Sequence, residues 1–318
     1  MRGRGSAAAH ALSSRPSDPR RIAPLLDRVV NLPAHKLPPR KSCNLASAMP
    51  GLRHYVGPDW PIDLARYAYV LNVCRSDLAW EFLRRNPDYQ RDYRLSRRGA
   101  DRPRRLVTGQ YLTRLRRRSL RCDRWGLDPL VDPTRPAPLA PLCWTIGVSA
   151  PVLDAVAERT TVDVPAALSI KSIATARHIV IGPTGEEVVI LRDAGRAATL
   201  RLKGSRASLG AVNVTFLIQD LPDPQRLAQR FRALERLISA PRFEVRPSRT
   251  RLFYRDALLA LDARLVGLSH REIAILLHGP DAVRSTWLRS SGSIRERVRH
   301  LLARGQALRD GAYRKLLG

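Results

Sequence analysis

The sequence predicts an α+β fold, with short N-terminal helices, a small antiparallel β unit in the middle and a C-terminal domain made only of helices. Three observations lead to this prediction. Apolar residues recur at helical spacing near both ends of the 318-residue chain. Short β-branched runs separated by turn residues occupy the middle. A stretch rich in Arg and Pro lies between the first helices and these runs, which indicates a boundary there.

The chain carries a large excess of positive charge. Lys and Arg total 56 residues against 28 Asp and Glu, which gives a formal net charge of +28 and a pI near 11.4. GC-rich coding explains a preference for Arg over Lys, but it does not explain a twofold excess over acidic residues. The charge therefore predicts a polyanionic partner, and nucleic acid fits better than a membrane surface or an acidic protein.

Cysteine spacing and hydropathy argue against several classes of protein. The four cysteines lie far apart without a Cys-x-x-Cys pair, so the sequence predicts neither a zinc ribbon nor a disulfide framework. No apolar run reaches the roughly 18 to 20 residues that a membrane span needs, and the N-terminus lacks the apolar core of a signal peptide. We expect a cytoplasmic, nucleoid-associated protein that needs no cofactor or metal and has no membrane partner.

Residues 1–50 are rich in Ala, Ser, Pro and Arg and show neither a helical nor an alternating period. They predict a disordered segment. Met49 is the only methionine after the first residue, and a folded pattern begins soon after it. We therefore also consider residues 1–50 an untranslated upstream extension, with Met49 as the start.

Residues 51–93 predict an N-terminal helical domain of two short helices, which the Asn-Pro step at 86–87 ends. Seven aromatic residues cluster between 60 and 93. Aromatic side chains interleaved with Arg can stack on unpaired bases, but a small domain also needs large side chains for its core. The core interpretation is the favoured one.

Residues 94–141 predict a linker rich in Arg and Pro. Twelve arginines and two aspartates between 94 and 124 give this run a net charge of +10. Such runs usually stay solvated and self-repelling. Non-specific contact with phosphates is the second role that we consider for the run. A Pro-rich passage at 132–141 reads as a spacer without regular structure.

Residues 142–240 predict a β-rich middle domain with a structural or regulatory role. Turn sequences such as Gly-Pro-Thr-Gly join short β-branched runs, for which a small antiparallel sheet is the simplest arrangement. An amphipathic helix follows at 224–238. The β-branched runs lie at 178–182, 187–192, 198–202 and 211–218.

Residues 246–318 predict the C-terminal domain. Two sequences have the form of a capping box, Ser-His-Arg-Glu at 269–272 and Ser-Ile-Arg-Glu at 293–296, and each indicates the start of a helix. Between them, His-Gly-Pro-Asp at 278–281 stops one helix and lets another begin. This order of helix, tight turn and helix on a strongly basic chain predicts an all-α helix-turn-helix domain that binds double-stranded DNA.

The helix directly after the turn is the predicted reader of the major groove. Within residues 282–290, Val283 and Trp287 share one side, which leaves polar side chains outside for bases and phosphates. The last helix, 294–309, is predicted to grip phosphates. The predicted DNA-binding residues are Arg271, Arg284, Ser285, Thr286, Arg289, Arg295, Arg297, Arg299 and Arg304. The alternative is that these charges only solvate a small helical bundle.

Several strings of residues resemble one known family. In the C-terminal domain they are Leu-Asp-Ala-Arg-Leu-Val-Gly-Leu-Ser-His-Arg-Glu-Ile-Ala at 261–274, Trp287, Arg-Glu-Arg-Val-Arg at 295–299 and Gly-Ala-Tyr-Arg-Lys-Leu-Leu at 311–317. Upstream they are Arg-Tyr-Ala-Tyr-Val-Leu at 66–71, Asp-Leu-Ala-Trp-Glu-Phe-Leu-Arg-Arg-Asn-Pro-Asp-Tyr at 77–89 and Arg-Trp-Gly-Leu at 124–127. The family is a helix-turn-helix variant, long catalogued as a domain of unknown function, of proteobacterial integrative and conjugative elements.

The resemblance implies a function as well as a fold. The two-part architecture is similar to that of the rhizobial excision activator, which implies a transcriptional regulator that activates excision or transfer genes of such an element. RNA polymerase and a small anti-activator protein are the implied protein partners. Short single-domain relatives act as anti-activators, so the alternative is a protein-binding anti-activator module that uses the same surface.

We expect no enzymatic activity. A tyrosine recombinase needs a His-x-x-Arg box around its nucleophile, and the nearest string, from His300 to Arg304, has one residue too many. Tyr313 is therefore predicted to pack the terminal helix. The sequence also shows no carboxylate triad of the kind that a metal-dependent transposase needs.

Overall fold

A computed structural model describes residues 62–96, 103–145, 152–160, 167–170, 173, 175–193, 195–218, 224–239, 247–287 and 294–318. All of these residues belong to the unit formed by residues 49–318. The predictions of a disordered segment at 1–50 and of a start at Met49 lie outside the described residues.

The first described elements are helical, as predicted. A 3₁₀ helix, Leu64–Asn72, precedes α1 (Arg75–Leu83) and α2 (Pro87–Ser96). The sequence does not predict α2, because an Asn-Pro step by itself indicates only the end of a helix. Asn86 also begins the next helix, since its side-chain oxygen accepts hydrogen bonds from the N–H groups of Asp88 (2.9 Å) and Tyr89 (3.1 Å).

Within the described residues, seven strands form one mixed sheet. Their order across the sheet is β1-β2-β4-β5-β6-β3-β7, so β1 and β7 are the two edges. The strands are β1 (Arg104–Arg105), β2 (Tyr111–Arg114), β3 (Val152–Arg159), β4 (Ala176–Ile181), β5 (Glu187–Asp193), β6 (Arg196–Gly204) and β7 (Val212–Leu217). Together with the helices, this sheet makes the fold α+β.

The predicted small antiparallel sheet is wrong in two respects. The pairs β2 with β4 and β3 with β6 are parallel, and β1 and β2 come from the predicted linker. The four strands predicted from their β-branched runs are present, and turns join β4 to β5 and β5 to β6 as antiparallel neighbours. The runs indicate which residues form strands. They do not indicate that β3, from an earlier part of the chain, lies between β6 and β7 in the sheet.

Helix α4 (Pro224–Ser239) covers the sheet, in agreement with the predicted amphipathic helix. Its residues Leu234 and Leu237 are buried in the core of the sheet. Phe231 of α4 meets Phe216 of β7 edge to face, with ring centroids 5.0 Å apart. Burial of these large side chains joins the helix to the sheet.

The segment predicted as a linker contributes to the folded structure. It contains β1, β2, the short helix α3 (Cys122–Trp125) and a 3₁₀ helix, Ala137–Leu139. Trp125 and Leu127 are buried in a hydrophobic core. The Arg and Pro content did not reveal these apolar anchors, which fix the segment. The division of the chain into five segments stays a prediction.

The C-terminal helices are α5 (Arg249–Leu265), α6 (His270–His278), α7 (Pro280–Thr286), α8 (Ile294–Arg309) and a 3₁₀ helix, Ala312–Leu316. They share one hydrophobic core with α1, α2 and α3. Tyr313 is buried in this core, and its hydroxyl donates a hydrogen bond to the carbonyl of Trp125 at 3.0 Å. This position agrees with the predicted packing role of Tyr313.

A buried ionic cluster fastens the N-terminal helices to α5. The carboxylate of Asp262 in α5 accepts two hydrogen bonds from Arg85, each 2.7 Å long, and one from the Tyr67 hydroxyl, also 2.7 Å. Glu81 binds Arg84 at 2.7 Å and Arg85 at 2.9 Å. All five side chains are buried, so the cluster is shielded from water.

None of the described helices is long and apolar enough to cross a membrane.

Candidate nucleic-acid interface

The first predicted capping box is present at the start of α6. The Ser269 hydroxyl accepts a hydrogen bond from the Glu272 N–H at 3.3 Å, and the Glu272 carboxylate accepts one from the Ser269 N–H at 2.7 Å. These hydrogen bonds lower the pKa of Glu272, because they stabilise its ionised form. The second predicted box begins at Ser293, which lies outside the described residues.

The predicted turn separates α6 from α7. Helix α6 ends at His278, and Gly279 has a φ of +83°, a conformation that suits glycine. Pro280 is the first residue of α7, where its missing N–H costs nothing. Helix α7 therefore begins two residues earlier than predicted.

The helices around the turn bury their apolar side chains. Ile273 and Ala274 of α6 and Val283 of α7 are fully buried. Trp287 is half-buried and packs against the same core. The predicted inner face is thus present, and the remaining side chains are left for the surface.

Helix α7 exposes two of the predicted DNA-binding residues. The Arg284 side chain is 78 % exposed and lies 3.6 Å from Asp281, itself 91 % exposed, so water screens this ion pair strongly. The exposed Ser285 donates its hydroxyl to the carbonyl of Ala282 at 3.1 Å. The Thr286 side chain and the whole of Arg289 lie outside the described residues.

Helix α8 buries apolar side chains against the core and exposes basic ones. Its residue Gly305 lies against α5, where an added Cβ would stand 2.9 Å from the Cγ atom of Leu261. This close crossing depends on the missing side chain. The buried positions of α8 are Val298, Leu301, Leu302, Gly305 and Leu308. Its exposed arginines include Arg295, Arg297, Arg299 and Arg304.

The exposed arginines differ in their partners. Arg297 lies 3.6 Å from the buried carboxylate of Asp256 in α5, and Arg299 lies 3.2 Å from the exposed Glu296. Arg295 and Arg304 form no ion pair with the described residues, and neither does the exposed Arg271 at the start of α6. These last three guanidinium groups are therefore available to an anion.

Sequence reasoning missed two residues beside this surface, Asp256 and His278. Burial lowers the pKa of His278, and the nearby Arg297 lowers it further. The buried Nε2 atom of His278 has no hydrogen-bond partner among the described residues. No sequence signal pairs α6 with α8 through these side chains, because the contact depends on how the helices cross.

Two family models match the chain. Residues 217–318 match a family described as "T6SS, Transcription factor, DNA binding domain", and residues 59–128 match a "Proteobacterial transcriptional regulator-like domain". No curated protein matches the chain. The first match includes α5 to α8, and the second includes α1 to α3. Together they indicate a DNA-binding transcriptional regulator, which confirms the predicted DNA partner and regulatory role.

Proposed function

We propose that this DNA-binding transcriptional regulator reads duplex DNA with a helix-turn-helix formed by α6 and α7, and that it activates excision or transfer genes of an integrative and conjugative element. Helix α7 enters the major groove in this proposal, and α8 holds phosphates of the backbone. We propose no enzymatic activity, since both matched domains are described as transcriptional regulators.

The observation that carries the proposal is the separation of charge from apolar surface on α8. Its buried stripe fixes the helix on the core, and its arginines stay in solvent. Arg295 and Arg304 have no acidic partner among the described residues. Arginines held in this way suit phosphates, because a guanidinium group can donate two parallel hydrogen bonds.

The exposed face of α7 supports base readout. A guanidinium group can pair bidentately with the edge of a guanine in the major groove. Arg284 can change partner at little cost, because its ion pair with Asp281 is highly exposed. Ser285 and the predicted residues Thr286 and Arg289 belong to the same proposed reading surface.

Activation of excision or transfer genes is supported by the sequence resemblance to regulators of integrative and conjugative elements. In this proposal the N-terminal domain and the sheet contact RNA polymerase or a small anti-activator protein. A promoter of T6SS genes is a second candidate target, because the description of the C-terminal match names that system.

The alternative is an anti-activator that binds a protein partner with the same surface. Such a module needs an exposed apolar anchor. Trp287 would be the natural anchor, but it packs against the core and is only half exposed. This burial favours DNA as the partner of the surface.

Chromatin immunoprecipitation with sequencing in the host tests the proposal, together with shifts of duplexes tiled across the element by the purified full chain. We expect one sharp peak upstream of excision or transfer genes and selective binding of the duplex from that peak. A peak upstream of T6SS genes would establish the second target. Failure to bind any tiled duplex, even at low salt, would overturn the DNA-reading role and leave the anti-activator alternative.

A further inference from the structure

We infer that the hairpin of β1 and β2 is a second contact for duplex DNA, one that binds phosphates without regard to sequence. We call residues 103–117 the basic hairpin. The inference rests on the proposed function, because it adds a contact to the same DNA complex. The arginines that carry it are Arg104, Arg105, Arg114 and Arg117.

The basic hairpin concentrates charge of a single sign. Residues 103–121 contain seven arginines and no acidic residue. Arg118 and Arg121 are paired, with Asp128 at 2.6 Å and with Asp92 at 3.4 Å respectively. The four arginines that carry the inference are exposed and form no ion pair with the described residues.

Contacts with the core of the sheet fix the backbone of the basic hairpin, so the positions of its arginines are defined before DNA binds. Leu106 and Leu112 pack against the core of the sheet. The Tyr111 ring stacks on His178, with centroids 5.4 Å apart, and the Leu106 N–H donates to the Gln110 carbonyl at 2.7 Å. An anchored scaffold lowers the entropy lost when the side chains bind.

The strand register brings like charges together. Arg104 lies opposite Leu112, and Arg114 lies two residues farther along β2 on the same face. Diagonal neighbours of this kind are within reach of long side chains, and like charges repel each other. On most protein surfaces, acidic residues offset such repulsion, but residues 103–121 contain none. A row of phosphates would offset it instead.

A simpler explanation is that arginines on an edge strand only prevent other strands from pairing with it. That explanation accounts for Arg104 and Arg105, which form the edge strand β1. It extends to Arg114, since within the described residues β1 pairs only with Tyr111 and Leu112 of β2, but it does not account for Arg117, which lies beyond the strand. A contact with an extended polyanion accounts for all four.

The test is the salt dependence of binding to a labelled duplex of random sequence, which reports phosphate contacts alone. The full chain with Arg104→Ala and Arg105→Ala is compared with the wild type. The matched control is Arg232→Ala with Arg236→Ala. Both arginines are exposed on α4, so their replacement removes the same amount of charge from another part of the surface. A third variant, Arg104→Lys with Arg105→Lys, keeps the charge of the hairpin.

We expect the slope of log K against log salt to become shallower by about 0.9 for each arginine that contacts a phosphate. The control and the Lys variant should keep the wild-type slope, and all variants should keep the wild-type melting temperature. A slope that changes equally in the Ala variant and the control would overturn the hairpin contact while leaving the proposed function intact. A wild type that binds no duplex would instead overturn the proposed function.

Discussion

Asp262 joins two parts of the chain that are far apart in sequence. Its carboxylate binds Arg85 and Tyr67 in a buried site, with all three hydrogen bonds 2.7 Å long. The sequence did not indicate this role, because a single Asp in an apolar helix has no local signature of a distant partner. What the sequence did predict is local: the Ser269 cap, the stop at Gly279 and the inward side of Val283.

Replacement of Asp262 by Ala should destabilise the protein by about 3–5 kcal/mol, because it leaves two buried guanidinium groups, those of Arg84 and Arg85, with the single carboxylate of Glu81. Urea unfolding of the full chain measures this change. The control is Asp88→Ala, which removes exposed ion pairs with Arg91 and Arg124 and should cost about 1 kcal/mol or less. Equal losses in the two variants would contradict the energetic role of the buried cluster.

Glu81 should make stability depend on pH in the acid range. Burial alone would raise its pKa, but the guanidinium groups of Arg84 and Arg85 outweigh burial and lower the pKa to about 2. The stabilisation from ionised Glu81 is therefore present above pH 4.5, its ordinary pKa, and is lost as the pH falls toward 2. Urea unfolding should show that the stability difference between wild type and Glu81→Gln shrinks over this interval. A difference that stays constant would count against the assignment.

Arg284 is the residue on which base readout is tested. Its replacement by Ala should weaken binding to the specific duplex by about 1–3 kcal/mol and change binding to random duplex much less. Fluorescence titration of both duplexes at matched salt measures the ratio. Arg232→Ala is the control, since it removes an exposed charge outside the proposed reading surface. A loss that is equal on both duplexes would assign Arg284 to phosphate contact.

At the scale of elements, the sequence predicted those whose periodicity is local and missed those defined by partners. It predicted α4 and α6, because an amphipathic stripe and a capping box both lie within one helix. It missed β1 and β2, because the many arginines in this stretch interrupt the alternating apolar pattern to which the two anchoring leucines belong. It missed β3, although buried and half-buried residues alternate along most of that strand. Parallel pairing of β3 depends on a connection that no short pattern encodes.

The crossing of α5 and α8 is an element-scale test. A larger side chain at Gly305 meets Leu261 and also the Ala257 carbonyl, which would stand 3.3 Å from an added Cβ. Gly305→Val should therefore separate the helices and cost about 1–3 kcal/mol in urea unfolding. Ala303→Val on the exposed side of α8 is the matched control and should have a much smaller effect. Unchanged stability of the Gly305 variant would show that the helices can move apart freely.

At the scale of the whole molecule, both ends of the described chain build one hydrophobic core together, beside the separate core of the sheet. Helices α1 and α2 and the helices from α5 onward contribute to the same hydrophobic cluster. The two matched regions, 59–128 and 217–318, therefore meet in space although the β-rich segment separates them in sequence. The sequence indicated separate N-terminal and C-terminal domains, because composition marks boundaries but does not show which surfaces bury each other.

A fragment of residues 246–318 should fold poorly on its own. It exposes apolar surface that α1 covers in the full chain. It also leaves Asp262 without its hydrogen-bond donors Arg85 and Tyr67. Circular dichroism should show low helix content and no cooperative melting, in contrast to the full chain. A fragment that melts cooperatively and binds DNA as tightly as the full chain would contradict this dependence.

The position of Tyr313 has a consequence for synthesis of the protein. Its hydroxyl reaches the Trp125 carbonyl, and the Arg75 side chain donates to the Lys315 carbonyl at 3.2 Å. Helix α1 therefore lacks these neighbours until the residues near Lys315 have left the ribosome. Contacts over such long separations slow folding and prolong the exposure of apolar surface. A nascent chain of this protein should be a good client for chaperones, and a stop codon before residue 313 should destabilise helix α1.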